Sequence, residues 1–379
     1  MIHIIADSNI PFLQGALEDV ARVSYFPAAK ITRKQLINAD ALIIRTRTNC
    51  NEQLLAGTQV KFIATATIGH DHIDADYCKM AGIRWSNAPG CNAGSVMQYV
   101  ASALAHIVKH DQKRFTDYSI GVIGAGHVGS KVAHLAAALG MRVLINDPPR
   151  SRAEGTKGFT ELDELLHRAD IVSMHMPLQY AGPDISYHMA DDSFFSRMKS
   201  SAWFINTARG EVMHTKALKN ALRTGKLGGA VIDVWENEPD IDKELLRAVS
   251  IGTPHIAGYS LDGKANGTAA SVQAVSRFFK LSLDNWYPPQ IPKPAQPVIT
   301  PKSANQSTEV LVCDAFMHAY NIVSDSDKLK ANPKGFERFR DEYPPRREFH
   351  AYRLNLQGLN SQEIQLFEKL VSCQCCCVG

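Results

Sequence analysis

Apolar and polar positions follow two rhythms along this chain. Short aliphatic or β-branched runs read as buried strands: residues 2–6 (IHIIA), Ala41–Ile44, Val60–Ala64, the run Ile120, Val122 and Ile123, Val143–Ile145, Asp170–Met174, Ala202–Ile205 and Gly229–Val234. Between them lie stretches with helical spacing, predicted at residues 11–22, about 93–109, 128–139 and about 267–286. In the second of these, Val96, Val100, Ala103, Leu104 and Ile107 fall on one stripe. Strands that alternate with helices imply parallel sheets, whose ligands sit beyond the carboxyl ends of the strands. Polar residues stand at such ends in Arg45-Thr46-Arg47-Thr48-Asn49 and in Thr65–Gly69. Six prolines between Pro288 and Pro301 predict a linker, and Glu309–Ser324 is mostly helical in pattern.

Composition narrows the class. At 379 residues the chain is long for one core, so two or three domains are expected. A net charge of +3 with no block of like charges points away from nucleic acid and anionic membrane as partners. The opening MIHIIAD starts directly in a strand-like run without a basic leader, which leads us to expect a cytoplasmic protein. Cys50, Cys78, Cys91 and Cys313 are scattered, as for reduced thiols. Cys373, Cys375, Cys376 and Cys377 crowd the end without the paired C-x-x-C knuckles of a zinc site, so no metal is expected.

The most informative stretch is 119–147, SIGVIGAGHVGSKVAHLAAALGMRVLIND. A strand leads into Gly124, Gly126 and Gly129 at the spacing G-x-G-x-x-G, then a helix, a second strand and Asp147. The first glycine allows the turn, the second lets backbone approach a pyrophosphate, and the third lets helix pack on strand. His127 and Val128 open the helix, whose free N–H groups and positive dipole end favour phosphate. Asp147 would accept from a ribose diol and repel a 2′-phosphate, which favours NAD over NADP. Arg150 and Arg152, just beyond, pull the other way.

Three further residues stand at or just past strand ends: Arg209, Glu238 and His255. Hydride transfer from a secondary alcohol needs a base for the hydroxyl proton, and histidine suits that role near neutral pH. A carboxylate would orient the imidazole and favour its charged form, which assigns Glu238. Arginine grips a carboxylate in a bidentate fork, which assigns Arg209. Asp233 closes its own strand and either faces the nicotinamide or caps a neighbouring loop.

GVIGAGHVGSKVA, NTARGEV, GAVIDVWENEP and TPHIAGYS resemble, in order, the motifs of the D-isomer-specific 2-hydroxyacid dehydrogenases. The resemblance implies an α/β protein of two doubly wound, Rossmann-like parallel-sheet domains with a cleft between them, the NAD domain inserted into the substrate domain. It implies a substrate-binding domain at 1–95 and 258–286, an NAD-binding domain at 96–257, a linker at 287–307 and a small α+β dimerisation domain at 308–379. The family's catalytic Arg, Glu and His fall on Arg209, Glu238 and His255, and its adenosine-ribose acid on Asp147. Met176, Thr207, Ala208, Asp233 and Gly258 match its cofactor contacts, and Thr46, Thr67 and Tyr259 its substrate contacts. Met176 departs from the threonine often found there, and Thr46 from a frequent serine.

The tail separates branches of that family. AYNIVSDSDKLK and FERFRDEYPPRREF, with ATATIGHDHIDADYC, SNAPGCNAGSVMQYV and NDPPR, resemble the branch that oxidises 4-phospho-D-erythronate to (R)-3-hydroxy-2-oxo-4-phosphobutanoate, on the bacterial route to pyridoxal 5′-phosphate. That resemblance implies a homodimer through the C-terminal domain and a phosphorylated 2-hydroxy acid as substrate. Arg45 and Arg47 are candidates for its phosphate by charge. Two alternatives share the body motifs: another member acting on, for example, 3-phosphoglycerate, and a non-catalytic NAD-sensing protein. The tail argues against the first, and retention of Arg209, Glu238 and His255 against the second.

Overall fold

Every one of the predicted apolar runs pairs as a parallel strand in the computed structural model, which describes residues 1–301 and 306–375. The strands gather into two sheets, in two compact units: Met1–Asn92 with Ser260–Pro292, and Ala93–Tyr259 with Lys293–Gly379. In the first unit β1 (His3–Asp7), β2 (Arg22–Phe26), β3 (Ala41–Ile44), β4 (Phe62–Thr65) and β5 (Arg84–Ser86) lie in the order β2-β1-β3-β4-β5. β3 and β4 are buried at every residue, as strands covered on both faces are. Alternation divides their side chains: Ile4, Ile43 and Phe62 pack with Val272 and Val275, while Ile5, Leu42 and Ile63 pack with Leu36, Leu55 and Cys78.

Val272 and Val275 belong to the long helix, which spans Leu261–Phe279 and not 267–286. It starts earlier because the Ser260 hydroxyl accepts the Gly263 N–H at 2.8 Å. It stops at Lys280, which turns left-handed at φ 58°. Residues 11–22 form no helix. Phe12 and Gly15 adopt φ of 63° and 86°, which no helix accommodates, and the Thr268 hydroxyl holds the Pro11 carbonyl at 2.8 Å. Leu13 and Leu17 are still buried, so the apolar spacing there reflects packing of irregular chain.

In the second unit β6 (Ser119–Ile123), β7 (Arg142–Asn146), β8 (Ile171–Met174), β9 (Ala202–Asn206), β10 (Leu227–Ile232) and β11 (Ile251–Gly252) lie in the order β11-β10-β9-β8-β6-β7. The order reverses around β6 and β8, the kind of switch point at which doubly wound sheets hold ligands. The helix Ala93–Asp111 is buried nearly all round, not on one stripe. It is packed between the helix His127–Ala138 and the C-terminal helix Thr308–Ala319. Its polar side chains are met accordingly. Ser95 donates to Glu348 Oε1 at 2.8 Å, Gln98 to the Arg347 carbonyl at 2.9 Å and Ser102 to the Tyr320 carbonyl at 2.6 Å. The C-terminal domain adds the helices Ile322–Ala331, Phe336–Asp341 and Ser361–Cys375 and a two-stranded parallel sheet, β12 (Val298–Ile299) with β13 (Arg353–Leu354). The side chains of Cys373, Cys375, Cys376 and Cys377 lie outside the described residues.

Candidate active site

The glycine turn connects β6 to the helix His127–Ala138. Gly124 has φ 84°, and a β-carbon there would lie 2.7 Å from the Met176 nitrogen. One on Gly129 would lie 1.9 Å from the Gly124 carbonyl oxygen, so helix and turn touch backbone to backbone. A β-carbon on Gly126 would meet nothing within 4 Å. Gly126 is also the N-cap of the helix and offers no side chain to its first-turn N–H groups. Open space in front of uncapped N–H donors is what a dinucleotide pyrophosphate requires.

Asp147 follows β7 and is about 9% exposed. Its Oδ2 accepts the Ala125 N–H at 2.7 Å and its Oδ1 the Arg150 N–H at 3.0 Å, so it shapes the turn and caps the next helix. Both nearby arginines are engaged. Arg150 donates to the Ala125 carbonyl at 2.7 Å and pairs with Glu154, and Arg152 pairs with Asp184. Neutralised cations beside a fixed carboxylate favour a ribose diol over a 2′-phosphate.

Glu238 and His255 stand at the other end of the same sheet. His255 Nδ1 lies 2.7 Å from Glu238 Oε2, and Glu238 Oε1 accepts the Trp235 N–H at 2.9 Å. Burial by itself would raise the Glu238 pKa, but the bond from His255 leads the contacts that hold it below the ordinary carboxylate value. With Nδ1 directed at Glu238, Nε2 is the nitrogen left for a substrate hydroxyl. The His255 backbone is strained, at φ 57°. It is held there by a bond from its N–H to the Asp233 carbonyl at 2.8 Å.

Asp233, which is 1% exposed, organises that loop. Its Oδ1 accepts from the Thr253 hydroxyl at 2.6 Å and the Ile256 N–H at 2.8 Å, and its Oδ2 from the Ala257 N–H at 2.9 Å. The geometry therefore favours the loop-capping alternative for this residue. Burial pushes its pKa up, against the nearby His255 and these donors. Tyr99 extends the chain with a 2.7 Å bond to Thr253, and Arg346 donates to the Ala257 carbonyl at 2.6 Å. Spacing held no sign of Tyr99 or Arg346, because each is recruited from a distant segment, whereas Thr253 stands two residues before His255.

Arg209 follows β9 and is half-buried, its Nη1 donating to the Ala208 carbonyl at 2.8 Å. Asn206 braces the turn from both sides, accepting from the Ala208 N–H and donating to the Arg209 carbonyl, each at 3.0 Å. Thr207 Oγ1 lies 3.1 Å from His175 Nδ1, whose ring also meets Ser173 at 2.8 Å. Burial drives the His175 pKa down to about 3, so this ring is a neutral brace at the end of β8, which the sequence reading had not singled out. Gly258 and Tyr259 continue the His255 loop, the Tyr259 ring standing 6.0 Å from that of Tyr343.

The candidates in the first unit lie at its own strand ends. Thr67 follows β4, its hydroxyl 2.7 Å from that of Thr65 and donating to the Gly69 carbonyl at 2.9 Å. Thr46 and Arg47 are exposed in the turn after β3, and Arg45 is half-buried.

A family model described as D-isomer specific 2-hydroxyacid dehydrogenase, NAD binding domain, matches residues 98–257, and a domain of unknown function matches residues 291–370. The chain is 49% identical to erythronate-4-phosphate dehydrogenase of Bacteroides thetaiotaomicron, over 93% of this chain and 99% of that one. The chain belongs to the erythronate-4-phosphate dehydrogenase branch of the D-isomer-specific 2-hydroxyacid dehydrogenases. The enzyme of the same name from Porphyromonas gingivalis is 38% identical over 96% of this chain and 98% of its own. Among solved structures, D-lactate dehydrogenase from Aquifex aeolicus, complexed with NAD and lactic acid, superposes with a TM-score of 0.61 at 30% identity. That match covers 74% of this chain and 96% of the other. A 3-phosphoglycerate dehydrogenase from Entamoeba histolytica shares the fold, with a TM-score of 0.61 at 21% identity over 77% of this chain and 99% of its own. The protein is an NAD-dependent oxidoreductase acting on a CH–OH group. No helix among the described residues is long and apolar enough to cross a membrane.

Proposed function

We propose that the protein oxidises 4-phospho-D-erythronate to (R)-3-hydroxy-2-oxo-4-phosphobutanoate, a step in pyridoxal 5′-phosphate synthesis, and works as a cytoplasmic homodimer joined through residues 308–379. The observation that carries the chemistry is the 2.7 Å contact between His255 and Glu238, in the same unit as the open glycine turn. The near full-length identity to enzymes named for this substrate supports the choice of acid.

NAD, when bound, supplies the hydride acceptor. Gly124, Gly126, His127, Val128 and Gly129 would hold its pyrophosphate and Asp147 its ribose, with Met176, Thr207, Ala208 and Gly258 along the strand ends and Asp233 fastening the His255 loop beside them. The work of the chain's own groups follows from their positions. Nε2 of His255 takes the proton of the substrate hydroxyl as the carbonyl forms. Glu238, already ionised, stabilises the imidazolium through Nδ1 and keeps the ring from turning. Arg209 grips the carboxylate and draws electron density from the developing carbonyl. Thr46, Thr67 and Tyr259 contact the rest of the acid, and Arg45 and Arg47 its phosphate.

NADH formation with 4-phosphoerythronate, followed by absorbance beside 3-phosphoglycerate and D-lactate, tests the reading. Turnover of 4-phosphoerythronate in preference to the other two is expected. Turnover of 3-phosphoglycerate alone would refute the substrate, and NADH binding without turnover of any acid would refute the enzyme.

A further inference from the structure

Nε of Arg340 is one of the buried polar atoms that lack a hydrogen-bond partner among the described residues. Arg340 lies on the C-terminal helix Phe336–Asp341. Its guanidinium carbon is 5.9 Å from the ring centroid of Tyr259, on the His255 loop, and 5.9 Å from that of Phe336. It is close enough to Glu238 that its charge helps keep that carboxylate ionised. The guanidinium nevertheless makes no ion pair among the described residues.

One donor of this half-buried arginine is unmet. A buried N–H without an acceptor is costly, and two aromatic faces return only part of that cost. They leave Nε, closed off from solvent, without an acceptor, while the rest of the half-buried guanidinium fork stays open to one. A carboxylate or phosphate is the group that such a fork matches. Within the substrate proposed above, Arg209 takes the carboxylate, next to the carbon that is oxidised. The second anion is the phosphate at the far end of the carbon chain, which Arg340 would share with Arg45 and Arg47. Arg340 and His255 belong to one compact unit, so their separation is set by the packing of that unit. A cation at a set distance from the proton acceptor measures the length of the acid as well as its charge.

We propose that Arg340 is a specificity-determining residue of this enzyme, binding the substrate phosphate while His255 takes the hydroxyl proton, an assignment that rests on the phosphorylated substrate of the preceding section. The C-terminal domain then contributes to substrate choice directly. The D-lactate dehydrogenase of similar fold is matched over nearly its whole length by 74% of this chain, and Arg340 lies in the segment that matches a separate family model.

The test compares wild type, Arg340→Gln and Arg340→Lys with two ligands, 4-phosphoerythronate as substrate and erythronate without phosphate as competitive inhibitor. Loss of a charge-assisted fork should raise the KM for 4-phosphoerythronate roughly 100-fold in Arg340→Gln. The inhibition constant of erythronate should move less than about threefold, since it has no phosphate to lose. Arg340→Lys keeps the charge without the fork, so its KM should rise about tenfold, and this variant carries the test if the glutamine protein does not fold. An unchanged KM, or equal weakening of both ligands, would overturn the assignment while leaving the function standing. Wild-type enzyme that does not oxidise 4-phosphoerythronate would instead overturn the function, and this assignment with it.

Discussion

Two alanine substitutions three residues apart should fail for opposite reasons. Gly126 has φ −72° and ψ −155°, at the edge of the extended region that alanine adopts, and its β-carbon would meet nothing within 4 Å. Gly126→Ala should therefore fold with a stability within about 0.5 kcal/mol of wild type. The new methyl would occupy the space in front of the uncapped N–H groups. If it displaces even one charge-assisted bond to the pyrophosphate, about 1.5–3 kcal/mol is lost, a factor of roughly 10 to 150 in affinity. Gly129→Ala instead drives its β-carbon to 1.9 Å from a backbone oxygen that cannot rotate away. Overpacking of that kind costs about 1–3 kcal/mol, or a fall of several degrees in the melting temperature of a domain of this size. NADH fluorescence titration gives the affinity and a thermal melt without cofactor gives the stability. Gly126→Ala with wild-type NADH affinity would refute the placement of the phosphates. Destabilisation of Gly126→Ala equal to that of Gly129→Ala would refute the steric reasoning.

His255→Asn should lower kcat about 10²- to 10⁴-fold while NADH still binds, and loss of NADH binding as well would point to a folding role. Asp147→Ala removes two backbone contacts, at 2.7 and 3.0 Å. It should cost about 1 kcal/mol in a melt and lower the ratio of NADH to NADPH affinity; an unchanged ratio would remove Asp147 from ribose recognition. The Glu238 pKa is held below the usual 4.5 in the folded protein, so its contribution to stability is complete above that value and disappears as pH falls through the folded value. The melting-temperature gap between wild type and Glu238→Gln should accordingly be constant from neutral pH to about 5 and close in stronger acid; a gap that widens in acid would contradict it. Arg47→Ala should weaken substrate binding and leave NADH affinity unchanged, and an unaltered KM would take Arg47 out of the phosphate site.

Local pattern was enough wherever the chemistry is local. Buried β-branched runs can only be satisfied in a sheet covered on both faces, and the spacing of Gly124, Gly126 and Gly129 admits few backbones other than a tight turn into a helix. Arg209, Glu238 and His255 could be proposed because hydride transfer needs few kinds of group. Spacing was misleading where apolar residues pack without regular structure, as at Leu13 and Leu17, where left-handed turns at Phe12 and Gly15 replace the expected helix.

Convergence was decided by tertiary structure alone. Glu238 and His255 lie 17 positions apart and meet at 2.7 Å because β10 and β11 are neighbours, and Asp233 fastens the second loop to the first. The polar stripe Ser95, Gln98 and Ser102 would be a solvated face in isolation, yet it is buried against a segment more than 200 residues away. Arg340 and Arg346 reach the His255 loop by the same packing. A side chain's spacing reports the element it sits on. What that element is pressed against depends on contacts between segments whose separation along the chain carries no periodic signal, and only the folded molecule specifies them.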